Sequence, residues 1–180
     1  MVWVLLIGGG LLTLFLALLF AVLLIWGFWH LGQSRRKALA EIRGIEIADI
    51  DALACECVDV FDRKLGVRLN VEDCDNAAKG LDDAFRDPFK LKEAFARNDF
   101  YWYFAKPVGA LLGELLRRHA RHEWRKENGE APFMEVKLKD GHSEIHPFEK
   151  VIKHVQWGEP GDLIAYVAFG VTIEQAADRE

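Results

Sequence analysis

No Asp, Glu, Lys or Arg occurs before Arg35. An uncharged run of that length restricts the possible folds more than any other feature of the chain. A helix of about 20 apolar residues crosses a hydrocarbon core, and residues 2–33 exceed that with room to tilt. Trp3 lies near one end of the run and Trp26 and Trp29 near the other, where indoles prefer the headgroup level. At a rise of about 1.5 Å per residue, Trp3 to Trp26 measures ~34 Å, close to a bilayer's apolar thickness. A cleaved secretory signal would need basic residues ahead of a shorter apolar core. Here the basic flank, Arg35-Arg36-Lys37, follows the run. The positive-inside rule therefore places the N-terminus outside and everything after the span in the cytoplasm.

All 23 basic and 28 acidic residues lie in the last 146 positions. A segment of that size can bury one core. Its organisation is expected as a transmembrane helix over 1–33, a juxtamembrane helix and linker over 34–48, an α+β domain over 49–173 and a flexible tail over 174–180. The net charge of −5 argues against nucleic acid, which demands a basic stripe for the phosphates. Cys55, Cys57 and Cys74 form no C-x-x-C pair, so they are read as small buried hydrophobes in a reducing compartment.

Periodicity predicts four or five helices packed on a short, largely antiparallel sheet. The membrane helix is expected to run on to Gly44. Asp49 is placed as an N-cap, followed by the stripe Ile50, Leu53, Cys57, Phe61 and Leu65 and a stop at Gly66. The acidic residues opposite, Asp51, Glu56, Asp59 and Asp62, read as a solvated face. Val67, Leu69 and Val71 alternate as a short strand. Ala77, Ala78, Leu81 and Phe85 form the next helical stripe. Asp87-Pro88 starts a third soluble helix with Leu91, Ala94 and Phe95 inward. After the aromatic run Phe100 to Phe104, a helix is expected to begin at Pro107, because a residue before proline avoids the helical region. It carries Val108, Leu111, Leu112, Leu115 and His119, with Gly109 and Gly113 as a small-residue notch for close packing. Glu114 and Arg118 read as a surface ion pair. Asn128-Gly129 and Asp140-Gly141 signal two hairpins in which Met134, Val136 and Leu138 face inward. Pro147-Phe148 opens another helix, and the apolar run Leu163–Ile173 reads as a strand.

Gly109-Ala110-Leu111-Leu112-Gly113-Glu114 on a helix, Trp124 on the next strand and Pro147-Phe148 together resemble a loose group of small bacterial proteins of unknown function. These share a G-A-x-L-G-E helix, a downstream Trp and a Pro-Phe. The resemblance covers about residues 100–157. It implies an α+β domain and a bacterial source, and it implies no catalytic residues. The membrane helix is not part of its pattern, and that helix in a bacterium is expected in the inner membrane.

The strongest chemical pattern is His119-Ala120-Arg121-His122-Glu123. Its histidines stand at i and i+3, whereas zinc hydrolases use i and i+4 with the glutamate between them. No catalytic, metal-ligating or cofactor-binding residue is therefore assigned, and no cofactor is expected. Two functional expectations remain. One is a membrane-anchored, non-catalytic interaction domain. Its bilayer partner is engaged through residues 2–33 and its protein partner, or a second copy, through the aromatic segment, the sheet or the span, with Phe100, Trp102, Gly109, Gly113, Glu114 and Trp124 expected as an interaction or packing surface. The other is a small membrane-bound metal-dependent hydrolase built on His119, His122 and Glu123.

Overall fold

The computed structural model describes residues 2–95, 103–120, 122–138 and 141–177. The chain divides into two compact units, Met1–Lys37 and Ala38–Glu180. Helix α1 runs Val2–Arg43. Among the residues whose side chains are described, no helix is long and apolar enough to cross a membrane. The longest uninterrupted described stretch within the uncharged run is 15–27, shorter than a span requires. Within it every side chain from 15 to 26 is exposed.

The second unit begins at Ala38, inside the segment expected as juxtamembrane helix and linker. Ala38, Ile42 and Ile45 are buried in its core. Gly44 ends α1, as its position suggests, its N–H donating back to the Glu41 carbonyl at 3.1 Å. A tight turn at Ile47–Asp49 leads into α2, Ile50–Val60. Asp49 occupies the N-cap position, yet its side chain makes no capping hydrogen bond. The helix widens over Phe61–Leu65 and stops at Gly66, where φ is +68°. A side chain is disfavoured in that left-handed conformation, which glycine adopts freely.

Residues 67–70 form no strand and Val71 lies in a turn, contrary to the alternation of Val67, Leu69 and Val71. Their side chains pack on a helix rather than on a ladder. Helix α3, Cys74–Ala84, brings Gly80 so close that an added Cβ would lie 2.6 Å from Leu69 Cδ2. The Asp73 carboxylate caps α3 by accepting from Asn76 N at 3.0 Å. The Asp87 carboxylate accepts from Lys90 N at 3.1 Å at the start of α4, Pro88–Phe95, as the Asp-Pro pair predicts.

Helix α5, Ala105–His119, is the centre of the unit. Apart from Lys106, every residue from Ala105 to Leu116 is buried. It begins two residues before Pro107. Lys106 is helical against the local steric bias of a pre-proline residue, and Pro107, in the first turn, forfeits no intrahelical hydrogen bond. Helix α5 packs against α2, α6 and α7. Phe104, just before it, stacks edge-on against Phe85 at 5.5 Å and lies 6.3 Å from Phe95.

The sheet comprises β1 (Glu123–Arg125), β2 (Phe133–Leu138) and β3 (Gly141–Ile145), antiparallel in that order. Met134 and Val136 are buried as expected, while Leu138 at the strand end is exposed. Gly129 has φ +81° within a connection longer than two residues, since Arg125 pairs with Phe133. Gly141 pairs with Leu138, so it belongs to β3 rather than to the expected Asp140-Gly141 turn. Residues 139 and 140, on which the rest of that expectation falls, lie outside those described.

Helix α6, Pro147–Trp157, carries Pro at its first position as predicted. The last element is helix α7, Asp162–Ala177, not a strand, and it continues four residues into the expected tail. The β-branched Ile164, Val167, Val171, Thr172 and Ile173 favour a strand locally. Burial instead follows the helical period through Leu163, Val167 and Gly170. The start signal comes from far away in the chain. The Asp82 carboxylate on α3 accepts from Gly161 N at 2.6 Å and Leu163 N at 3.2 Å, capping α7 from another helix.

Candidate functional site

The glycine-notched face of α5 is where the residues of the resemblance meet. An added Cβ at Gly109 would lie 2.9 Å from Phe148 Cα. One at Gly113 would overlap Trp124 Cζ2 and Cη2. Trp124 and Phe148 lie 5.8 Å apart, ring centre to ring centre. Trp124 Nε1 donates to Glu114 Oε1 at 2.9 Å. The notch thus lets one strand and one helix approach the centre of the unit, with a single buried carboxylate fixing the indole.

Glu114 is 4% exposed and does not form the surface pair with Arg118 suggested by their spacing. Its partner is Arg117, whose Nε lies 2.9 and 3.0 Å from the two carboxylate oxygens and whose Nη2 lies 2.6 Å from Oε2. Arg118 instead reaches Glu72 at 3.0 Å. Burial alone would raise the Glu114 pKa. The hydrogen bonds from Arg117 and Trp124, with the Arg117 and Arg118 charges, outweigh it and hold the carboxyl below its ordinary value. A carboxylate held ionised and fully bonded is a poor general acid or base at neutral pH.

Gly109, Gly113 and Glu114 are therefore packing residues, and half-buried Trp124 belongs with them. Phe100 and Trp102 lie outside the described residues.

The His119–Glu123 pattern is dispersed by the end of α5. His119 Nε2 lies 3.0 Å from the Val71 carbonyl. His122 falls beyond the helix, so helical angles do not govern it; it is buried, with Nε2 3.0 Å from the Gly170 carbonyl. Glu123 is exposed on β1 and pairs with Arg125 at 2.7 Å. His142 and His146 both turn to Glu144, at 3.9 and 3.4 Å. Among the described residues no group of three or more His, Cys, Asp or Glu is placed to hold a metal ion.

Other reactive groups are similarly subdued. Cys57 is buried as expected, Cys74 is half-buried and Cys55 is exposed. Burial, with nearby acids, pushes the Cys57 thiol up and the Cys74 thiol to about 11, which suppresses the nucleophilic thiolate. His154 on α6 is buried, and its Nδ1 finds no hydrogen-bond partner among the described residues. Asp162 Oδ2 stands 3.6 Å away, beyond a good hydrogen bond. Burial holds the ring below its ordinary pKa, against the pull of Asp82 and Asp162. Sequence reading did not find Asp82, Arg117 or His154, whose roles depend on contacts between elements distant in sequence.

Two depressions open to solvent accompany these groups. One, about 550 Å³, lies between Arg43, Glu46, Ile47, Lys126 and Asn128, bridged by Lys126 Nζ, which donates to the Ile45 carbonyl at 2.8 Å. The other, about 430 Å³, lies on the outer face of α2 beside Cys55, Asp59 and Arg63. The second is lined by the Cys55 thiol together with Glu56, Asp59, Arg63 and Lys64. No family model, no curated protein and no solved structure matches this chain.

Proposed function

We propose that this chain is a single-pass membrane protein of a bacterial inner membrane, whose α+β unit lies in the cytoplasm and works by binding rather than catalysis. The observation that carries the reading is the absence of any ionisable residue other than His30 from position 2 to 34, within a helix that runs Val2–Arg43. An aqueous helix of that composition has nothing to cover it, whereas a bilayer does. Arg35-Arg36-Lys37 sets the direction. The non-catalytic part rests on the site residues themselves. Glu114 is committed to Arg117 and Trp124, and each histidine of the zinc-like pattern has a ring nitrogen engaged by a backbone carbonyl.

Topology is tested with paired reporters fused after Glu180. A reporter that works only in the cytoplasm is expected to be active, and one that works only outside it to be silent. The reverse pattern would mean that the basic cluster does not orient the span. Affinity capture of the full chain from solubilised membranes then identifies the protein partner or reveals self-association.

A further inference from the structure

Helix α7 is apolar on both sides. Leu163, Val167 and Gly170 face the core, and the exposed positions opposite are Ala165, Ala168, Phe169 and Thr172. These four fall within an arc of about 100° at 100° per residue. Phe169 is 63% exposed. The one hydroxyl on this face is turned back onto the helix, Thr172 Oγ1 donating to the Ala168 carbonyl at 2.7 Å. No Asp, Glu, Lys or Arg occurs from Leu163 to Ile173. A surface helix ordinarily sets charged residues on its outer face, so this face is matched to an apolar neighbour rather than to water.

We propose that the outer face of α7 docks on the lipid surface of the membrane that holds residues 2–33. This rests on the membrane-anchor reading above. Two observations select lipid over a second copy of the chain. The first is area. Two alanines, a threonine and a phenylalanine on one helix expose on the order of 200–300 Å², well short of the ~800 Å² per partner of a stable protein interface. The second is tether length. Only residues 34–37 separate the uncharged segment from the unit that begins at Ala38. These four residues continue helix α1, a rise of about 6 Å, so an anchor at 2–33 keeps lipid at high local concentration and a small apolar patch suffices.

The test uses the full chain in phosphatidylcholine vesicles. A nitroxide is attached through Phe169→Cys, or through Ala165→Cys as a second site, in a background of Cys55→Ser and Cys74→Ser. A control label is carried by Asp59→Cys on the exposed face of α2. All three labelled positions are exposed, so the fold tolerates them. Collision with oxygen, which partitions into lipid, is compared with collision with a water-soluble nickel chelate. At ~5–10 Å burial into the headgroup boundary, the oxygen-to-chelate ratio at 169 is expected to exceed that at 59 by roughly threefold or more. Equal ratios on chain that floats with the vesicles would overturn the docking and leave the anchor standing. Spin–spin broadening at 169 would overturn it in favour of a second copy. Chain that does not float with vesicles would overturn the anchor, and the docking with it.

Discussion

Replacing Gly113 by Ala is expected to destabilise the α+β unit by roughly 1–3 kcal/mol through overpacking, although alanine improves helix propensity by about 1 kcal/mol. The new Cβ would occupy the place of Trp124 Cζ2 and Cη2. Relief requires β1 to move away from α5, which breaks the bond from Trp124 Nε1 to Glu114. Gly113→Leu should lie at or above the top of that range. The denaturant midpoint, followed by circular dichroism, measures the loss. Combining Gly113→Ala with Trp124→Phe should cost less than the two changes summed, because the smaller ring makes room. A neutral or stabilised Gly113→Ala would mean that the indole does not pack on the notch.

Glu114→Leu should cost about 2–4 kcal/mol at neutral pH, since it leaves the Arg117 guanidinium and the Trp124 N–H without their acceptor. The figure is below that for a wholly buried pair because Arg117 remains 46% exposed. Glu114→Gln, which can still accept from Trp124, should lose roughly half as much. The pH dependence follows from the direction of the shift. The folded-state pKa is depressed, so the contribution is present above the ordinary value of 4.5 and disappears as pH falls through the folded value. Wild type and Glu114→Gln should therefore converge in stability only once the pH falls below the depressed folded-state value. A gap that stays constant to strong acid would show that Glu114 contributes by shape alone.

These two predictions also mark how far local pattern reaches. The stripe Ile50 to Leu65, the stop at Gly66, the Asp87-Pro88 start and the Gly109/Gly113 notch were legible, because each depends on residues within a few turns of one another. The notch was legible as a packing surface, but Trp124 and Phe148 as its occupants required the tertiary structure. Glu114 was misread as a surface residue because Trp124, which covers it from β1, reaches it only in the tertiary structure. Helix α7 was misread as a strand because its cap, Asp82, lies on another helix. Val67 to Val71 looked like a strand because alternation signals one buried side equally well when the cover is a helix. His119 kept its expected place in the apolar stripe, half-buried with one ring nitrogen hydrogen-bonded. His122 did not, since α5 ends before reaching it.

Exposure of Phe169 and of Trp157, which is 82% exposed, leaves apolar surface on a unit whose other large side chains are mostly covered.

The most direct measurement on the anchor itself is alkaline carbonate extraction of membranes containing the full chain. Wild type is expected to remain in the membrane pellet. Replacing Leu16, Leu19 and Leu23 by Arg, at about 2.5–3.5 kcal/mol for each charge near a span's centre, should move the chain to the supernatant. Release of the wild-type chain by carbonate would contradict the assignment of residues 2–33 as a membrane span.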